Sequence, residues 1–420
     1  MSALIRRHLL RQAQDLMDHF PAVVIQGARQ VGKSTLASML AVGTDHVSVT
    51  FDDDDVRESA LLDPRAFVRQ AGDGLLVIDE VQREPSVLLA IKSLIDADRK
   101  SGRFLLTGSS DLLRLTRSPD SLAGRAVTVD LHGLSQGELV GTVEDFAHWI
   151  RNGLQSASDV TSGWSRERYA EAMTTGGYPE VHRLPRRHRA TWFDSYIDRV
   201  LTRDISEVSR GLSSDRLDAV LRLIAANQGG ELVQARLADN LSMARSSVAG
   251  YLAALSTMYL THDLRPWRAN LTKREVGRHK VSVADPGLAA RMSRVSAKQL
   301  TALRDAPILG MQLEAFVVGQ LMAQRGWSKE NFEIYHFRDR DGLEVDVVLE
   351  FDDGHVFLIE VKASTTIRAD HTRGIRDLAD RLGDRFLGGA VLGLVERARP
   401  VTGQIWALPV SALWEHPDSL

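Results

Sequence analysis

Between Val23 and Thr35 the chain reads VVIQGARQVGKST, an apolar run that turns at Gly27 and, four residues later, enters a helical pattern through Gly32-Lys33-Ser34. Few stretches constrain a fold as much, because this one needs a buried strand in front of it and a helix behind it. The glycines let the backbone curl until successive N–H groups point inward, which makes a cradle for phosphate oxygens. In such a loop the Lys33 ammonium reaches the β/γ-phosphates of a nucleotide and the Ser34 hydroxyl ligates Mg²⁺. The helix that begins STLASML sets its positive end under the anion. The spacing predicts that Gly27, Ala28, Arg29, Gln30, Val31, Gly32, Lys33, Ser34 and Thr35 enclose the phosphates of ATP. The competing reading is an ordinary glycine-rich turn between strand and helix.

A chain of 420 residues with 44% hydrophobic side chains can bury several cores, and its length predicts two to four domains. The net charge of −3 gives no global field for nucleic acid, so any such surface must be a local patch. With no cysteine, disulfides, thiol catalysis and thiolate-held metal groups are excluded. The N-terminal stretch carries Leu4, Ile5, Leu9 and Leu10 at helical spacing among charges, which is not the pattern of an export signal. No run reaches the roughly 20 apolar residues of a membrane span. The expectation is a cytoplasmic protein with no membrane partner.

Three further strands are legible downstream. HVSVTF (46–51) alternates and ends in Asp52 to Asp55, which read either as a solvated acidic turn or as a source of one carboxylate near Mg²⁺. LLVIDE (75–80) is apolar enough to be buried on both faces and delivers two acids at its C-terminal end. Asp79 has the character of a magnesium-holding aspartate, and Glu80 is placed to polarise the attacking water. RFLLTGSS (103–110) ends in Thr107, Ser109 and Ser110, small hydroxyl residues suited to sensing the γ-phosphate, and reads as a strand added between the phosphate-loop strand and LLVIDE.

Taken together, GARQVGKST, LLVIDE and LLTGSS resemble the AAA+ branch of P-loop ATPases. More closely, DEVQREP (79–85), LAGR (122–125), LHGLSQGEL (131–139) and GGYPE (176–180) resemble a large prokaryotic ATPase family whose members end in a domain of unknown function with a nuclease-like core. The resemblance implies ATP and Mg²⁺ as cofactors, homo-oligomers, and an arginine supplied by a neighbouring subunit. Arg125 is the candidate for that arginine, which would stabilise charge developing on the γ-phosphate and can be worth about 10³–10⁵ in rate. Its other reading is a pairing with a local carboxylate.

From 141 to 205 the strand character fades into a helical lid or linker, and its arginines Arg186, Arg187, Arg189, Arg199 and Arg203 are interleaved with acids, as on a salt-bridged solvent face. Residues 206–290 hold SDRLDAVLRLIAANQ, then two helices broken near Asn240, then a hairpin, the order of a winged helix with Ala244 to Ser256 as recognition helix. The wing carries Arg265, Arg268, Lys273, Arg274, Arg278 and Lys280 against the single acid Glu275, a patch suited to DNA phosphates. A winged helix used only for protein packing is the alternative.

In residues 291–420 the helix ILGMQLEAFVVGQLMAQ carries Glu314 among hydrophobes, and three alternating strands follow. Period two puts Asp346 on one strand and Glu360 with Lys362 on one face of the next. This order resembles the PD-(D/E)xK nuclease core, although Val345 stands where the motif has its proline. The resemblance assigns Glu314, Asp346 and Glu360 to a metal and Lys362 to orienting water. A Glu360–Lys362 salt bridge on a solvent face is the bland alternative. The fold expected is thus α/β: a P-loop AAA+-type parallel sheet over 1–140, a winged helix between, and a PD-(D/E)xK-like mixed sheet at the end. The function expected is a Mg²⁺-dependent ATPase acting on DNA, with an ATP-gated regulatory or scaffold protein as the alternative.

Overall fold

A computed structural model describes residues 4–110, 122–205, 211–268, 278–302 and 306–417. Its first sheet contains β1 (Ala22–Gln26), β2 (His46–Thr50), β3 (Leu75–Asp79), β4 (Phe104–Gly108) and β5 (Ala126–Asp130) in the order β2-β3-β4-β1-β5, all parallel. β4 does insert between β1 and β3, as its apolar run suggested. Every residue of β1 is buried, and its β-branched side chains serve two layers: Val23 and Ile25 join one core, Ala22 and Val24 the other. The register Gln26↔Gly108 and Gln26↔Asp130 ends these strands level, so the loops after β1, β3 and β4 share one edge. The helix Leu9–His19 starts later than its sequence pattern suggested and packs Leu9, Ala13 and Met17 into the first of these cores.

The middle of the chain folds the helices Ser214–Ala226, Gln234–Asn240 and Arg245–Thr257 with three short strands, β6 (Gly230–Glu231), β7 (Thr261–Pro266) and β8 (Lys280–Val283). β8 lies antiparallel between β7 and β6. The C-terminal strands β9 (Phe332–Arg338), β10 (Glu344–Phe351), β11 (Val356–Lys362), β12 (Phe386–Gly393), β13 (Arg399–Thr402) and β14 (Ile405–Pro409) form a mixed sheet. That sheet does not stop at β9. β7 pairs with it in parallel at Arg265↔Tyr335 and Pro266↔His336, which gives nine strands among the described residues in the order β13-β14-β12-β11-β10-β9-β7-β8-β6. An open edge at β9 or β7 would have exposed unpaired N–H and C=O groups, and the junction covers both.

The segment expected to be one lid over 141–205 is divided by its aromatics. Phe146, Trp149, Tyr169 and Met173 lie in the C-terminal core with Phe316 and Trp414, where the Tyr169 hydroxyl accepts the Ser411 N–H at 2.9 Å. Phe193, Tyr196 and Ile197 instead join the core that holds β1. Among the described residues no helix is long and apolar enough to cross a membrane.

At the junction His336 is buried with its Nε2 3.0 Å from the Arg278 carbonyl oxygen. Burial, reinforced by the Lys280 charge, depresses its pKa to about 4. A base whose folded value lies below its unfolded 6.5 favours the fold fully above pH 6.5 and loses that contribution as pH falls toward 4. The effect is of the order of 3 kcal/mol. Melting curves of the parent and His336→Gln should therefore be furthest apart in acid sensitivity between pH 6.5 and 4, the parent losing more stability; parallel curves across that window would refute the assignment.

Candidate functional site

The loop after β1 is shaped by backbone demands that glycine meets. Gly27 has φ 151°, and a Cβ there would stand 2.2 Å from the Leu131 carbonyl oxygen, which crosses the loop after β5. Gly32, at φ 103°, precedes the helix Lys33–Ala41 in the left-handed region. Lys33 is only 4% exposed, and its ammonium donates to the loop's own carbonyls, Gly27 O at 3.1 Å and Ala28 O at 3.0 Å. Burial lowers its pKa, opposed by the charges of Glu80 and Asp79.

The ends of β3 and β4 complete this edge. The Ser34 hydroxyl lies 3.0 and 2.9 Å from the two Asp79 oxygens, and the Thr107 hydroxyl also donates to Asp79. Glu80 sits in the left-handed region, φ 55° and ψ 45°, an uncommon conformation for a side chain-bearing residue and one that accumulates at working sites. Its N–H donates to Thr107 Oγ1 at 3.3 Å, while the Gln82 amide donates both to the Glu80 carboxylate and to Ser109 Oγ at 3.0 Å. Lys33, Ser34, Asp79, Glu80, Thr107 and Ser109 thus come together. The aspartates after β2 do not join them: Asp53 caps the helix Asp54–Leu62 and Asp52 pairs with Arg83 at 3.0 Å.

Arg125 is not in this group. It precedes β5 at the register of Ala22, one strand length or roughly 13 Å from the phosphate-loop edge. Its guanidinium grips both Asp96 oxygens at 2.5 and 2.9 Å. Within one chain it cannot meet a nucleotide held by Lys33, because a strand's N-terminal end faces away from its C-terminal loop.

Arg7, Glu138, Asp204 and Tyr259, which the motif pattern does not assign, also shape the site. Arg7 bridges the loop to the segment after β5, donating to Val31 O at 2.8 Å and His132 O at 2.7 Å, and is itself held by Glu138 at 3.0 Å. Glu138 closes a capping box with Ser135, so the SQGE string was the available signal. Arg29 pairs with Asp204, and the Tyr259 hydroxyl donates to Gln26 Oε1 at 2.7 Å.

The C-terminal acids converge, but around an ammonium. Lys280 of β8, 5% exposed, lies 2.7 Å from Glu314, 2.9 Å from Glu344 and 3.9 Å from Asp346. Asp346 Oδ2 accepts the Val361 N–H at 2.8 Å, and Glu360 pairs with Lys362. Burial, reinforced by the Asp346 charge, pushes the Glu314 pKa upward despite Lys280, while the carboxylates push that of Lys280 upward against its burial. Lys280 is therefore unavailable to DNA phosphates. Of the other wing cations, Arg278 lies 3.6 Å from Glu231 and Arg268 lies 5.7 Å from the centre of the Phe337 ring. Lys273, Arg274 and Glu275 lie outside the described residues.

Residues 19–140 match the family described as AAA domain, residues 166–299 a domain of unknown function (DUF8612), and residues 309–413 a domain of unknown function (DUF4143). Uncharacterized proteins of Mycobacterium bovis and Mycobacterium tuberculosis are each 27% identical over 361 residues, spanning 86% of this chain and 74% of theirs. Among solved structures, the Walker-type ATPase of Pyrococcus abyssi is 15% identical with a TM-score of 0.43, covering 69% of this chain and 96% of that one. AMPPCP-bound DnaA from Aquifex aeolicus is 13% identical with a TM-score of 0.30, covering 59% and 86% respectively. The AAA domain makes the chain an ATPase.

Because Arg7 fixes the loop at Val31, Arg7→Ala should weaken nucleotide binding by about tenfold, the equivalent of about 1.4 kcal/mol. Calorimetric titration with a non-hydrolysable nucleotide, on protein whose melting curve shows it folded, would measure this. Affinity equal to the parent's would show that the loop keeps its shape without Arg7.

Proposed function

We propose that the chain is a cytoplasmic, Mg²⁺-dependent AAA+ ATPase that works as a homo-oligomer and acts on DNA through its central and C-terminal parts. The convergence of Lys33, Ser34, Asp79 and Glu80 on one strand edge carries the reading. The residues present suit a magnesium nucleotide: Ser34 and Asp79 already share a hydrogen bond where an ion would take both oxygens, and Lys33 is buried with only neutral carbonyls as hydrogen-bond partners. When bound, the ion neutralises phosphate charge and orients the terminal phosphate. Lys33 exchanges its loop carbonyls for the β/γ-phosphates. Glu80, aimed by its left-handed backbone and held by Gln82, takes the proton of the attacking water. Thr107 and Ser109 fix the groups around it.

Arg125 serves a neighbour's nucleotide in this scheme, released from Asp96 as subunits assemble. Its position on the far edge of β5 supports a role in trans over one in cis. The helices 214–226, 234–240 and 245–257 with β6, β8 and β7 have the element order of a winged helix, which supports the DNA reading, as does the exposed Arg245 at the start of the third helix. The order of helix 306–325 followed by β9, β10, β11 and the parallel β12 supports a nuclease-like architecture. One observation favours a second reading, an ATP-gated scaffold: Lys280 fills the acid cluster that a nuclease would reserve for metal.

For hydrolysis, Lys33→Ala should lose tight nucleotide binding, whereas Glu80→Gln should keep it and turn over slowly, because only water polarisation is removed. Mixing Arg125→Ala with Glu80→Gln subunits should restore part of the phosphate release, since some interfaces then pair two intact halves. A Glu80→Gln protein as fast as the parent would overturn the base, and mixtures no better than their components would overturn the trans arrangement.

For DNA, Lys273→Ala combined with Arg274→Ala should weaken binding and flatten the slope of log K against log salt by about two, with little change in sequence preference. Unaltered affinity and slope would assign the winged-helix-like unit to protein packing.

A further inference from the structure

A nuclease-like core implies a divalent ion among Glu314, Asp346 and Glu360, and the residues as arranged do not fit one. A divalent metal needs several oxygens converging on a free centre at about 2.0–2.6 Å. Here the converging oxygens are already taken. Glu314 Oε1 and Glu344 Oε1 bind the Lys280 ammonium, Asp346 Oδ1 faces it, and Asp346 Oδ2 holds the Val361 N–H. Glu360 is turned to Lys362. Among the described residues no group of three or more His, Cys, Asp or Glu is arranged to hold a metal ion.

Lys280 is also poorly placed to leave. It is the first residue of β8, paired with Leu264 of β7 on one side and Glu231 of β6 on the other, so its Cα is fixed between two strands. The side chain is buried, and withdrawing it would leave the carboxylates of Glu314 and Asp346, 19% and 9% exposed, without their shared ammonium. Arg338, 3.7 Å from the other Glu344 oxygen and 3.9 Å from Glu231, adds a second cation that ties the same strands.

We propose that Lys280 is the resident cation of this acid cluster, so that the C-terminal core takes no catalytic divalent ion and its acids serve to bind the 211–292 unit to the C-terminal sheet. The cluster sits where β8, β10 and the helix Ala306–Arg325 meet, which is where such a tie is needed. Its acids recruit an ammonium from another part of the chain and convert a metal-site architecture into a joint between folding units. The role of such buried ion pairs is to fix an arrangement more than to add stability, since apolar replacements of both partners often fold as well.

The test uses nucleotide-free, full-length protein, so that its outcome is separate from the ATPase reading. Bound Mn²⁺, followed by loss of the free-ion electron paramagnetic signal, should be the same in the parent and in Asp346→Asn. Melting of the parent should be the same with Mn²⁺ and with chelator. Lys280→Met should melt several degrees lower in chelator, and Mn²⁺ should restore part of that loss by entering the vacated cluster. Manganese bound by the parent and lost in Asp346→Asn, or Asp346-dependent cleavage of DNA with Mg²⁺ or Mn²⁺, would overturn the proposal. If Lys280→Met does not fold, the comparison of parent with Asp346→Asn still decides it; if it folds and melts like the parent, the joint is disproved.

Discussion

The burial of the Lys33 ammonium under its own loop is the constraint around which the first domain is built. A cation removed from water is costly unless hydrogen-bonded and balanced by opposite charge. The loop carbonyls of Gly27 and Ala28 supply hydrogen bonds, and Asp79 and Glu80 supply charge from the end of β3. For those acids to be close, β1, β3 and β4 must end together, which the parallel register enforces. Leu131 must then cross directly over Gly27, leaving no room for a Cβ. The glycine, the register and the two acids together accommodate one buried charge.

Local chemistry made half of this legible in the sequence. The loop, LLVIDE and LLTGSS could be read because a phosphate cradle needs its glycines and lysine within one turn, and because strands buried on both faces are apolar throughout. What failed to show was pairing across distance. Arg7 and Glu138 are 131 residues apart, and nothing in the SQGE string points to Arg7 as its partner. Lys280 was grouped with the wing cations because its sequence neighbours are basic, yet β8 alternates faces and turns it inward onto Glu314. The LAGR string points to Arg125, but its place at the N-terminal end of β5 and its Asp96 pair follow only from the register of the sheet. Period two places Asp346 and Glu360 on facing strands, but that Lys280 from another part of the chain meets Glu314, Glu344 and Asp346 while Glu360 turns to Lys362 carries no periodic signal.

The same long-range pairings tie the nucleotide edge to the rest of the chain. Arg29 of the loop holds Asp204, and Tyr259 reaches both Gln26, at the end of β1, and Asp130, at the end of β5. The Gly177 N–H donates to Asp285 at 2.7 Å while its carbonyl accepts from Leu134, so the GGYPE turn joins the segment after β5 to the helix Pro286–Met292. Beyond Tyr259, β7 continues directly into the C-terminal sheet. Among the described residues the end of β1 is thus joined to β9 through Tyr259 and β7 by hydrogen bonds and continuous chain.

Two buried lysines separate the parts of this protein that await a ligand from those that do not. Lys33 and Lys280 are almost equally hidden, 4% and 5% exposed, yet burial wins at Lys33 and lowers its pKa, while carboxylates win at Lys280 and raise it. At Lys33 the hydrogen-bond partners are neutral carbonyls and the acids act only from a distance, so an incoming phosphate would improve the lysine's surroundings. At Lys280 two carboxylates are in direct contact and a third is close, so an added cation would compete with a charge already satisfied. The sign of each lysine's shift follows from what touches it: neutral carbonyls at Lys33, carboxylates at Lys280.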